Sequence, residues 1–148
     1  MNGLFSSIGV YQILQIKADA ISSKKKIMSR IVHFEIPATN PEQSIDFYSK
    51  TFGWTFSRWG EEEYWLVTTG DNTNPGINGA ILKRRDPTMP VVNTIDVADI
   101  DAAILSVEAN GGIIVVPKSS IPTMGHLCYF KDPDGVIHGM MQMDPNAK

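Results

Sequence analysis

Four side chains carry all the imidazole and thiol chemistry this chain owns: His33, His126, His138 and Cys128. A single cysteine cannot form an intrachain disulfide or a cysteine-based zinc site. Cys128 has no basic neighbour in the sequence to lower its pKa, so it reads as a small buried filler. His33 and Glu35 lie two residues apart in an alternating segment. On a strand that spacing puts both side chains on one face, where an imidazole and a carboxylate can form an acid–base or hydrogen-bonding pair. His126 follows Met124-Gly125 just before an apolar run. That position suits the mouth of a cleft. Asp132 and Asp134 have the look of a metal pair, but Asp132-Pro133-Asp134-Gly135 is turn chemistry. Gly60-Glu61-Glu62-Glu63 and Lys83-Arg84-Arg85 read as solvated loop charge.

These residues need elements to hold them, and the chain is large enough for one domain. It has 148 residues, 43% hydrophobic and 20% charged, with a formal net charge of −3. That composition excludes a disordered chain and argues against a partner recognised through nucleic-acid phosphates. One cysteine is compatible with a reducing, cytoplasmic setting. Residues 1–27 differ from the rest. Their apolar run, 4–16, contains Gln12 and Gln15 and is too short and too polar to span a bilayer. Lys24, Lys25 and Lys26 follow that run, whereas a signal peptide carries its positive charge first. The expectation is a flexible or extension tail at 1–27, a domain at 28–148, and no membrane partner.

From Arg30 the sequence is ordered. Residues 31–36 alternate as a strand, with Val32, Phe34 and Ile36 on one face and His33 and Glu35 on the other. Asn40-Pro41-x-Gln43 is an N-cap with proline at the first helical position, and Gly53 ends the helix. Ile45, Tyr48 and Phe52 recur at helical spacing. Strands are expected at 54–57, 64–69 and 78–83. The plan then recurs: a strand at 91–97, a helix capped by Asp99 with Ala103, Ile104 and Val107 inward and stopped by Gly111-Gly112, then strands at 113–116, 127–131 and 136–143. Asn40 and Asp99, Gly53 and Gly112, and Gly76 and Gly135 are each separated by 59 residues. One offset at three landmarks identifies two copies of a βαβββ unit, at 30–86 and 90–143. Neither copy can cover its own sheet, so the two are expected to pack as one α+β domain.

Two such units resemble the vicinal oxygen chelate superfamily, which includes glyoxalase I, bleomycin-resistance proteins, extradiol dioxygenases and methylmalonyl-CoA epimerase. The opening text, His33-Phe34-Glu35-Ile36-Pro37 with Ser44-Ile45-Asp46-Phe47-Tyr48 and Phe52-Gly53-Trp54, is similar to that family's first strand and helix. Phe130-Lys131-Asp132-Pro133-Asp134-Gly135 is similar to its closing hairpin. The resemblance covers 30–143. It implies a glyoxalase-like fold in which the two units form one cupped, mixed β-sheet with outer helices. It further implies a cleft inside the cup, commonly completed by a homodimer.

Metal-binding members of that family take ligands from the first and fourth strand of each unit. Those four positions correspond here to His33, Ala80, Val92 and Gly139. Three carry no donor, so no metal is expected, and the small residues leave volume suited to an organic ligand. Within the cup of the resemblance, one of the adjacent pair Tyr64 and Trp65 must face inward, and Trp65 is assigned to a stacking wall. Asn78 and Thr94 share the inward parity of Ala80 and Val92, while His138 faces out. The candidate ligand-binding set is therefore His33, Glu35, Trp65, Asn78, Thr94 and His126, with a small organic molecule as partner. The alternative is a metal-dependent lyase, isomerase or dioxygenase of the same superfamily with a non-standard ligand set.

Overall fold

A computed structural model describes residues 28–148, and the expectations for residues 1–27 lie outside the described residues. Eight strands and two helices follow one another as β1 (Ile31–Ala38), α1 (Pro41–Phe52), β2 (Thr55–Arg58), β3 (Tyr64–Thr68), β4 (Asn78–Lys83), β5 (Val92–Asp96), α2 (Ile100–Ala109), β6 (Ile113–Ile121), β7 (Gly125–Lys131) and β8 (Ile137–Met143). All eight strands form one mixed sheet in the order β2-β3-β4-β1-β5-β8-β7-β6. Read outward from the centre, the two halves are mirror-ordered, as a twofold repeat requires. Each first strand pairs parallel with the fourth strand of its own unit, β1 with β4 and β5 with β8. The two units join where β1 meets β5 antiparallel. No helix among the described residues is long and apolar enough to cross a membrane.

The helices form where their caps dictate. Asn40 accepts from the Gln43 N–H at 3.2 Å, Pro41 occupies the first turn, and Gly53 closes the helix at φ 71°. Asp99 accepts from the Ala102 N–H at 3.0 Å in the same role for α2. Each such cap contributes about 1 kcal/mol. Both helices lie on one face of the sheet, each over its own small core. Under α1, Val67, Ile81 and Ala38 are buried with Phe34, Ile36, Ile45 and Tyr48 against them. Trp54 stacks on Tyr48 at 4.9 Å and joins this core. Under α2, Ile100, Cys128, Met140 and Val97 are buried, packed by Ala103, Ile104 and Val107. Phe52 departs from its expected burial. It is 59% exposed, its ring tilted against those of Tyr48 and Trp54 and edge-on to that of Phe47.

Two segments depart from simple alternation, and both do so at bulges. The β1–β5 register shifts between Ile31 and His33, which breaks the parity that would send Val32 to the core. Val32 is instead 45% exposed, on the face opposite α1. The strand expected at 113–116 runs on to Ile121. Pro117 cannot donate a ladder hydrogen bond, and the chain accommodates it with register shifts on both sides of Val116.

Candidate functional site

The sheet face away from the helices encloses a cavity of about 300 Å³. Both units contribute to it: Val32, His33 and Glu35 from β1, Tyr64 and Leu66 from β3, Thr94 and Asp96 from β5. Leu127 and Tyr129 come from β7, Met141 and Met143 from β8, with Trp59, Ile121 and Met124 from the connections and strand end beside them. The walls are therefore chiefly aliphatic, thioether and aromatic; His33, Tyr64 and Tyr129 gather around one carboxylate, and Thr94 and a second carboxylate, Asp96, take no part in those bonds.

That carboxylate is Glu35, near the centre of the sheet. The Tyr64 hydroxyl donates to Glu35 Oε1 at 3.0 Å, and the Tyr129 hydroxyl donates to Oε2 at 3.1 Å. One tyrosine comes from each unit, so Glu35 ties the two half-cups together. The second bond also measures the curl of the sheet. β7 lies three strands from β1. In a flat sheet that is about 14 Å, and side chains stand roughly perpendicular to the sheet. Tyr129 reaches Glu35 only because the outer strands fold inward.

His33 joins through Tyr64, with Nε2 at 3.0 Å from the hydroxyl oxygen. Tyr64 has one proton and gives it to Glu35, so the proton in the His33 bond must sit on Nε2. Burial holds the His33 pKa below its ordinary value, and the nearby Glu35 charge only partly opposes this. His33 is thus a neutral Nε2–H tautomer whose Nδ1 is a free acceptor. His33 and Glu35 form the expected pair, but through a tyrosine bridge and not by direct contact.

Burial, reinforced by the Glu35 charge and hydrogen bond, pushes the pKa of Tyr64 and of Tyr129 well above the ordinary tyrosine range. Because the folded values lie above the unfolded ones, the stability they contribute is complete below about pH 10 and is lost as the pH rises beyond it. In an alkaline titration followed by tyrosinate absorbance, Tyr64 and Tyr129 should stay protonated beyond about pH 10 while the protein is folded, and should ionise on unfolding. Loss of a folded-state transition near pH 10 on Tyr64→Phe or Tyr129→Phe would contradict this geometry.

The cavity brings together His33, Glu35 and Thr94 of the candidate set. Trp65, Asn78 and His126 lie outside it. Trp65 has the opposite parity from Tyr64 and Leu66; it pairs with Ile81 and lies under the Arg58 guanidinium at 5.7 Å. The inward aromatic of that pair is Tyr64. Asn78 sits at the first residue of β4, where its side-chain oxygen accepts from the Thr69 N–H at 2.9 Å and holds the β3–β4 connection. His126 alternates with Leu127, so it faces the helix side, near Ser120 at 3.1 Å and Asp144 at 3.6 Å. His138 also faces that side, its ring against Phe130. The sequence reasoning missed Tyr64, Tyr129, Leu66, Asp96 and the methionines. Tyr129 was within reach of it: Cys128 as core filler sends its strand neighbour to the other face.

The donor set does not fit the family's metal. Ala80 is fully buried, Val92 nearly so, and neither has a donor atom. At Gly139 an added Cβ would lie 2.8 Å from Thr94 Oγ1, so even the space for a ligand side chain is taken. Among the described residues no three His, Cys, Asp or Glu side chains cluster closely enough to hold an ion.

The sequence model of the glyoxalase/bleomycin resistance protein/dioxygenase superfamily matches residues 30–137. The chain belongs to that superfamily. It is 31% identical over 117 residues to a glyoxylase-like domain-containing protein from Didymella fabae, covering 75% of this chain and 91% of that protein. Among solved structures, a superfamily member from Vibrio splendidus 12B01 aligns with a TM-score of 0.57 at 20% identity, over 79% of this chain and 100% of that one. A Streptomyces coelicolor methylmalonyl-CoA epimerase in complex with 2-nitronate-propionyl-CoA aligns with a TM-score of 0.59 at 16% identity, over 82% and 99%. At such identities the structural likeness establishes the glyoxalase-like fold, in agreement with the two-unit repeat, and nothing finer.

Proposed function

We propose that this superfamily member binds a small, mostly apolar organic molecule in the cup, without the metal used by relatives. The observation that carries the reading is the cup itself. It has aliphatic and thioether walls around a Glu35 carboxylate already engaged by two tyrosines, and the family's other ligand positions are Ala80, Val92 and Gly139. A pocket of this size with a few convergent polar groups is the usual form of a small-molecule site. A homodimer, on family resemblance, and a cytoplasmic setting, on the single cysteine, remain part of the proposal.

The test uses N-phenyl-1-naphthylamine, whose fluorescence rises in apolar surroundings. One dye per chain should bind saturably, and dialysis against EDTA should leave the affinity unchanged. Leu66→Trp or Leu127→Trp, which fill the cavity from opposite walls, should each weaken binding by about tenfold or more. Stoichiometric nickel, zinc, iron or manganese in the purified protein, lost in His33→Ala, would overturn the metal-free reading. So would dye binding that disappears with EDTA and returns with metal.

A further inference from the structure

The hydrogen-bond inventory of the cup says which kind of polar group its ligand carries. Three donors lie in the polar cluster, and all three are consumed inside it: His33 Nε2–H on Tyr64, and the Tyr64 and Tyr129 hydroxyls on Glu35. What the cluster leaves open is acceptor capacity: the remaining lone pairs of Glu35, the Tyr129 hydroxyl oxygen and His33 Nδ1. Beyond the cluster the lining side chains add two donors, the Thr94 hydroxyl, only 4% exposed, and the indole N–H of half-exposed Trp59. Among the described residues the lining also holds a second carboxylate, Asp96, and no Lys or Arg. Of the cations near the walls, Arg58 lies over Trp65 on the opposite face of the sheet, Lys83 donates to the Thr39 carbonyl at 2.8 Å, and Arg85 pairs with Glu62 at 3.8 Å in a separate depression beside Trp59 and Tyr64.

Glu35 is a half-buried carboxylate in a mostly apolar cavity, held by two neutral hydrogen bonds and facing no lining cation among the described residues, so its charge is left for a ligand to pair. Resting on the cup-binding reading above, we infer that the ligand is a protonated amine on an apolar body, its N–H groups donated to Glu35 and its neighbouring acceptors. An anionic ligand would meet two carboxylates and spent donors.

The experiment compares three probes of one shape, 4-phenylbutylamine, 4-phenylbutanol and 4-phenylbutyrate, by displacement of N-phenyl-1-naphthylamine from the full chain. The amine should bind about tenfold or more tighter than the carboxylate, with the alcohol between them. In Glu35→Gln the amine-to-carboxylate ratio should fall to within about threefold, because the charge is gone while the side-chain shape remains. Equal or tighter binding of 4-phenylbutyrate by the unaltered protein would overturn the inference and leave the cup-binding reading standing. An unchanged ratio in a folded Glu35→Gln variant would overturn it too. Failure of the dye and all three probes to bind would overturn both. The comparison on the unaltered protein decides the matter even if the variant does not fold.

Discussion

Glu35→Ala should destabilise the fold by about 2 kcal/mol, because two half-buried tyrosine hydroxyls lose their acceptor at once. The loss is a coupling and not a packing effect. It should therefore shrink when the hydroxyls are removed as well. In urea unfolding, Glu35→Ala combined with Tyr64→Phe and Tyr129→Phe should be more stable than the sum of the separate changes predicts, by about 1 kcal/mol. Additivity would mean that the tyrosines find water as readily as Glu35 and that the carboxylate does not join the two units. The geometry argues against that, since each hydroxyl sits at hydrogen-bonding distance from a different oxygen of the same group.

Gly125→Ala should have a larger effect, a loss of about 3–5 kcal/mol. Gly125 opens β7 at φ 151°, a conformation rarely adopted by residues with a Cβ. An added Cβ would overlap the Gln142 carbonyl oxygen, in the backbone of the paired strand β8. Backbone cannot rotate aside as a side chain can, so the start of the β7–β8 ladder must separate. That ladder aims Leu127, Tyr129, Met141 and Met143 into the cup, so dye binding should weaken together with stability. Gly60→Ala is the control. Gly60 also has positive φ, at 57°, but nothing lies within 4 Å of an added Cβ, and the expected cost is about 1 kcal/mol. Equal denaturation midpoints for the two variants would refute the clash.

The residues explain why some of this was readable before any coordinates. Asn40, Asp99 and the 59-residue offset are local signals: a cap needs only its own next turn, and a repeat needs only counting. The inward facing of Glu35 and Thr94 followed from period-two alternation along single strands once the resemblance marked His33 and Val92 as cup positions. Asn78 was beyond that reach, and the facing of His126 was missed because the strand was expected to begin at 127. Asn78 sits at a strand end, where its side chain turns to the neighbouring connection, and the facing of His126 depends on where β7 begins. Choosing Trp65 over Tyr64 failed for a related reason. Alternation says that adjacent residues face opposite ways, but pairing of Trp65 with Ile81 over the α1 core decides which way. Val32 was lost to a bulge, which alternation cannot foresee.

By itself, then, the sequence determined the two βαβββ units, their helix boundaries, the family they resemble and the absence of donors at Ala80, Val92 and Gly139. Each of these is a property of chain-local chemistry or of residue identity. Only the tertiary structure decided that His33, Glu35, Tyr64 and Tyr129 form one connected cluster with its donors turned inward. Glu35 and Tyr129 are 94 residues apart, and their contact depends on the curvature of an eight-stranded sheet. That curvature is set by the strands and bulges acting together, and no short stretch of the chain contains it.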